Sequence, residues 1–189
     1  MKIRTIERNV TRRRFLAETA AAGVAVTVLR AGLVRGTAQN SKIKLGLIGC
    51  GGRGIWIADL FDKNGGYQLH AVADYFKDRA DEAGDKFKIP ETRRFTGLSS
   101  YRRLLESGVE AVAIESPPYF HPEQAAAAVD AGCHVYLAKP IAVDVPGCFS
   151  IAESGSTATG KNLCFLIDFQ TRADQFFISD QTSTRRRDR

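Results

Sequence analysis

The sequence predicts an α/β fold, a doubly wound parallel sheet, and three observations carry that prediction. Residues Ile43 to Gly54 read I-K-L-G-L-I-G-C-G-G-R-G, a short apolar strand running into glycines at 49, 51 and 54. Asp74, 20 positions after Gly54, closes a second apolar run, Leu69 to Ala73. From Lys42 onward strand-like and helix-like segments alternate, the pattern of parallel strands joined by helical crossovers. At 189 residues, 44% hydrophobic and 25% charged, the chain can build one sizeable core, and a single domain of this class nearly exhausts it.

Taken in order, the strands are Lys44 to Ile48, Gln68 to Asp74, Arg93 to Thr96, Glu110 to Glu115, His134 to Ala138 and Leu163 to Ile167. Helices fill the gaps: Arg53 to Lys63, Asp78 to Phe87, Ser99 to Glu106 and Pro122 to Ala131. The first is amphipathic through Ile55, Trp56, Ala58, Leu60 and Phe61; the fourth sets Ala125 to Ala128 and Val129 on a packing face and stops at Gly132. Asp144 to Gly160 is a weaker helix, diluted by Gly147, Gly155 and several Ser and Thr. Six parallel strands in doubly wound order form the Rossmann arrangement, in which ligands bind beyond the carboxyl ends of the strands where strand order reverses. The loops at Gly49 to Gly54, after Asp74, at Ser116 to His121 and at Lys139 to Pro140 should therefore form the site.

The glycine loop, Gly49-Cys50-Gly51-Gly52-Arg53-Gly54, has the spacing of a dinucleotide-binding turn. Gly49 permits the turn off the strand, Gly51 lets backbone approach a pyrophosphate, and Gly54 lets the next helix pack closely on the sheet. The phosphates would rest on free N–H groups at the helix start, and the Asp74 carboxylate would accept hydrogen bonds from both ribose hydroxyls. A methyl-donor site usually has an acid just before its glycines, where this chain has Ile48. A nicotinamide dinucleotide is the expected cofactor. Asp74 favours NAD over NADP, because a 2′-phosphate would face a carboxylate; Lys77 and Arg79 lie near enough in sequence to keep NADP open.

Two further loops carry candidate chemistry. Pro117 and Pro118 in Ser116-Pro117-Pro118-Tyr119-Phe120-His121 fix φ, remove two donors and should hold the chain extended past the cofactor. His121 reads either as a general acid or base or as a structural hydrogen-bonder at a helix start. Lys139, between the strand Val135 to Leu137 and Pro140, is either a loop lysine or an ammonium held where nicotinamide and substrate meet, able to stabilise negative charge as hydride leaves carbon. Cys50, Cys133, Cys148 and Cys164 lack C-x-x-C or His/Cys ligand spacing, so neither a metal site nor a disulfide framework is expected.

The net charge of +6 does not point to nucleic acid. Residues 1–38 hold eight Lys/Arg against two acids, leaving 19 against 19 in residues 39–189, so the excess is confined to the leader. There Thr11-Arg12-Arg13-Arg14-Phe15-Leu16 resembles the twin-arginine export signal, with a moderately apolar stretch Ala20 to Leu29 and small residues Gly36-Thr37-Ala38 for a peptidase. That apolar stretch is too short for a permanent membrane span, and a basic amphipathic helix is the other reading. The export machinery is thus an expected partner, with cytoplasmic folding, cleavage near Ala38 and a periplasmic destination.

Three runs together resemble one family: the glycine loop; Glu110-Ala111-Val112-Ala113-Ile114-Glu115-Ser116-Pro117-Pro118 with His121; and Ala131-Gly132-Cys133-His134-Val135-Tyr136-Leu137-Ala138-Lys139-Pro140. The family is that of glucose-fructose oxidoreductase, inositol dehydrogenase and rhizopine catabolism, and Asp168-Phe169-Gln170-Thr171-Arg172 is similar to its crossing into a second domain. The resemblance implies an NAD(P)-dependent oxidoreductase of sugars and cyclitols. It implies that the loop glycines, Cys50, Arg53 and Asp74 contact the dinucleotide, that Ser116, Pro117, His121 and Pro140 line its nicotinamide side, and that Lys139 stands beside cofactor and substrate. Most members have Glu before that lysine, where this chain has Ala138.

The domain expectation is therefore a signal peptide at 1–38, a Rossmann domain at 39–168, and at 169–189 the start of a crossover with a disordered basic tail. The family's second domain, which supplies the substrate pocket, would be missing, leaving a truncated nucleotide-binding remnant without turnover as the alternative function. An open sheet edge in such a fragment would favour homo-oligomers.

Overall fold

The computed structural model describes residues 42–170. The expected export leader and the segment after Gln170 lie outside the described residues. The elements are β1 (Ile43–Ile48), α1 (Gly52–Asn64), β2 (Tyr67–Asp74), α2 (Lys77–Lys86), β3 (Arg94–Thr96), α3 (Ser100–Glu106), β4 (Ala111–Ile114), α4 (His121–Asp130), β5 (His134–Leu137), α5 (Val145–Gly160) and β6 (Phe165–Ile167). The strands form one sheet in the order β3-β2-β1-β4-β5-β6, with every pairing parallel. Strand order reverses between β1 and β4, so the crevice of this doubly wound Rossmann fold opens there.

Strand alternation divides the core. Leu45, Leu47, Val72, Ala111 and Ala113 face α1 and α2, meeting Ile57, Ala58 and Ala83. Ile48, Ala73, Val112, Ile114, Val135 and Leu137 face the opposite side, against Tyr101 and Leu104 of α3, Ala125, Ala128 and Val129 of α4, and Ile151 and Ala158 of α5. Both faces of the central strands are covered, which is why these strands read as continuous apolar runs rather than alternating ones. Among the described residues no helix is long and apolar enough to cross a membrane.

The differences from expectation are local. The Pro117–Pro118 segment does not stay extended: Pro117 is (φ −59°, ψ 142°), but Pro118–Phe120 turns into a short 3₁₀ helix. Proline's fixed φ suits a first helical position as well as an extended one, and Pro118 starts that turn. The third strand begins one residue late because Glu91–Arg93 forms another 3₁₀ turn. The helix expected to be weak is the longest described, 16 residues; Asp144 caps it by accepting from the Gly147 N–H at 2.7 Å. The cap and the packing of α5 on α4 override the low propensity of its glycines and hydroxyl residues.

Candidate functional site

The glycine loop joins β1 to α1 at the carboxyl edge of the sheet, beside the reversal point. Gly49 has φ +92°, and a β-carbon there would lie 2.6 Å from the Glu115 carbonyl carbon and the Ser116 nitrogen. A β-carbon on Gly54 would collide with the Gly49 carbonyl oxygen, so α1 approaches the strand end as only glycine allows. Gly51 caps α1 at (φ −69°, ψ 179°) with no side-chain cap, and its open side faces the cleft. The first-turn amides of Gly52, Arg53 and Gly54 therefore have no intrahelical acceptor, and their partial positive charge is directed outward.

The cleft itself encloses about 600 Å³. Gly49, Gly51 and Asp74 form its base; Tyr75, Phe76, Arg79 and Leu98 flank one end, and Glu115, Ser116 and Pro117 the other. Asp74 is buried, and both its oxygens are already engaged: Oδ2 accepts from the Cys50 N–H at 2.7 Å and Oδ1 from the Phe76 N–H at 2.9 Å. The carboxylate thus clamps the glycine turn to the end of β2 while keeping lone pairs for further donors. Cys50 points inward: its thiol contacts the Ala73 carbonyl at 3.6 Å, and burial pushes its pKa up. Only its backbone is near the cleft, and that N–H is committed to Asp74.

Arg53 is likewise directed away from the cleft. Its guanidinium pairs with Asp168, and its Nε lies 3.3 Å from Glu115 Oε2 without hydrogen-bond geometry. Glu115 continues the alternation of Ala111 and Ala113, which puts its side chain, fully buried, beneath α1. Burial pushes its carboxyl up to about 7; Arg53 opposes the shift and Asp168 adds to it. Tyr136, one strand over, shares the cluster, and burial followed by Asp168 raises its phenol pKa.

Ser116 Oγ donates to Gln124 Oε1 at 2.6 Å, tying the loop after β4 to α4. His121 is fully buried and does not line the cleft; its Nε2–H donates to the Ser116 carbonyl at 2.8 Å. Burial holds the imidazole below its ordinary pKa, against the backbone of Ser116, Pro140 and Ile141. His121 is therefore placed as a brace between the loops that follow β4 and β5. Lys139 and Pro140 follow β5 on the exposed rim, joined by a cis peptide, outside the cleft wall. Of the residues singled out from sequence, the fold gathers Gly49, Gly51, Asp74, Ser116 and Pro117 around one cleft and sets His121, Arg53 and Lys139 apart from it.

Glu115, Tyr136, Phe76 and Gln124 are given no site role by the sequence, and Asp168 enters there only in the run similar to the crossing into a second domain. Glu115 had a legible signal: an acid extending an all-apolar buried strand needs a cation, and Arg53, between Gly52 and Gly54, supplies it.

A family model described as an oxidoreductase family with an NAD-binding Rossmann fold matches residues 43–163. The chain belongs to this oxidoreductase family. NAD is the cofactor of its Rossmann domain. Among curated relatives of this member, the alpha-N-acetylgalactosaminidase of Shewanella oneidensis is 31% identical over 131 residues, covering 67% of this chain and 28% of the relative. Among solved structures, scyllo-inositol dehydrogenase from Lactobacillus casei, with bound NAD(H) and scyllo-inositol, matches with TM-score 0.63 at 24% identity, over 77% of this chain and 41% of that one. UDP-N-acetylglucosamine 3-dehydrogenase from Acidithiobacillus ferrooxidans matches with TM-score 0.61 at 25% identity, over 75% of this chain and 43% of that one. The oxidoreductase-family domain thus spans well under half the length of the relatives it matches.

Proposed function

We propose that this domain holds NAD, and less tightly NADP, for hydride transfer to or from a sugar- or cyclitol-like alcohol. The observation carrying the reading is the glycine turn. At Gly49 and Gly54 a β-carbon has no room, whereas at Gly51 the backbone lies open beside uncapped helix amides, and Asp74 fixes the turn from β2. NAD, when bound, supplies the hydride acceptor. The chain's own residues grip the pyrophosphate with the α1 amides, offer the remaining Asp74 lone pairs to the adenosine ribose, and bring Ser116 and Pro117 against the nicotinamide end. Lys139, held on the rim of the neighbouring strand, stabilises charge on the reacting oxygen.

A glycoside in place of a free alcohol is the second reading, favoured by the glycosidase names of the curated relatives. NAD-dependent glycoside hydrolysis is a known departure from the two-carboxylate scheme, and it asks the same of these residues. The leader is proposed to route the folded, loaded domain through twin-arginine export to the periplasm.

The full chain should quench or shift NADH fluorescence and bind NAD with saturable affinity. Offered sugars, cyclitols and aryl glycosides, these 189 residues alone should bind nucleotide without turnover, since the matched part is 28% of the first curated relative. Absence of any NADH signal would remove the nucleotide reading; turnover would show that these residues also complete the substrate side.

A further inference from the structure

We propose that Arg79 is the side-chain cation that neutralises the dinucleotide's pyrophosphate, the role that position in the motif would assign to Arg53. The inference rests on the nucleotide reading of the cleft and names how its charge is balanced.

A pyrophosphate brings two negative charges to a helix start that offers only about half a unit of positive charge. The motif places Arg53 in the first turn of α1, where a guanidinium would ordinarily complete the balance. In this fold that guanidinium is paired with Asp168 and lies against Glu115. It contributes nothing to the cleft wall. Among the residues lining the wall, Asp74 brings a carboxylate and Arg79 is the single cation, the Glu115 carboxylate being turned away beneath α1.

Arg79 is placed for that work. Its guanidinium carbon stands 4.9 Å from the centroid of the Phe76 ring, and its Nη1 lies 3.9 Å from where a β-carbon on Gly51 would be. Gly51 is the glycine past which the backbone approaches the pyrophosphate. Among the described residues no carboxylate pairs with Arg79, while neighbouring Lys77 is held by Asp81. A guanidinium stacked on an aromatic face is oriented before a ligand arrives, and its planar donors match two phosphate oxygens at once. Its station in the first turn of α2 is unfavourable for that helix, so the position suits the cleft rather than the helix.

Calorimetric titration of the full chain with ADP, NAD, NADP and adenosine separates the possibilities. Arg79→Gln should weaken ADP, NAD and NADP by a common factor of about tenfold, the usual scale for a lost charged hydrogen bond. It should leave adenosine unchanged and flatten the salt dependence of ADP binding. Phe76→Leu, which removes the platform but keeps the charge, should give a smaller loss of the same pattern. Unchanged ADP affinity in Arg79→Gln, a loss confined to NADP, or an equal loss for adenosine would each overturn the assignment. A wild-type chain that binds neither ADP nor NAD would instead remove the nucleotide site, and this proposal with it.

Discussion

Replacing Gly54 by alanine asks whether the close approach of α1 to the end of β1 is a requirement or an accident of the sequence. The new β-carbon would fall on the Gly49 carbonyl oxygen and within 3.1 Å of its carbon, so backbone rather than a mobile side chain would have to move. Alanine gains at most roughly 1 kcal/mol of helix propensity over glycine. Overpacking against fixed backbone at such close approach takes the upper end of the usual range, roughly 3 kcal/mol, leaving a net loss of about 2 kcal/mol. At a urea slope of about 1.5 kcal/mol/M, the midpoint should fall by roughly 1 M. Gly52→Ala is the internal control, because nothing lies within 4 Å of its β-carbon. It should be neutral or slightly stabilising. Since the displaced carbonyl belongs to the turn itself, NADH fluorescence should report weaker binding in Gly54→Ala than stability alone predicts. Equal urea midpoints for Gly54→Ala and wild type would refute the packing argument.

Three other outcomes follow from the same geometry. Glu115 carries a folded-state pKa of about 7 against an ordinary 4.5, so it binds its proton more tightly when folded. Its contribution to stability is then present below pH 4.5 and lost as pH rises to about 7. Glu115→Gln should match wild type near pH 5 and exceed it at pH 8 in urea midpoint; a wild type more stable than the variant at pH 8 would reverse the sign. Asp74→Ala strands the Cys50 and Phe76 amides, costing about 1–3 kcal/mol; it should also narrow a wild-type preference for NAD over NADP, and equal wild-type affinities would defeat that preference. Changing Arg12, Arg13 and Arg14 to lysine should leave a periplasmic reporter fused after Ala38 in the cytoplasm; undiminished export would set the leader reading aside.

The parts of this protein legible from sequence are those that backbone physics dictates. A strand that must end in a left-handed turn asks for glycine at 49, and a helix that must touch that turn asks for glycine at 54. Both residues announce themselves without knowledge of the rest of the chain. The same holds for the alternation of elements, since a buried parallel strand has to be apolar on both faces. Side-chain pairing is different. Arg53, Glu115 and Asp168 are 62 and 53 positions apart in succession, and only the strand order β1-β4-β5-β6 brings them together. Nothing local distinguishes an arginine aimed at phosphate from one aimed at a distant carboxylate.

The ionic cluster also gives the domain a property that the glycine loop alone would not. Arg53 belongs to the helix that opens the cleft, Glu115 to the end of the strand across the crevice, and Asp168 to the first residue after β6. One guanidinium thus ties the exit of β6 to the helix whose first-turn amides face the cleft. Displacing α1 would leave the buried Glu115 carboxyl, which has no hydrogen-bond partner among the described residues, with its nearby cation withdrawn. That penalty opposes movement of α1 relative to β4 and β6. The turn is therefore held from two sides, by Asp74 through backbone amides and by Arg53 through charge, so its shape is set before a ligand arrives. A preformed turn lowers the ordering cost of binding, which is the condition for a cleft with only one lining cation to hold a doubly charged pyrophosphate.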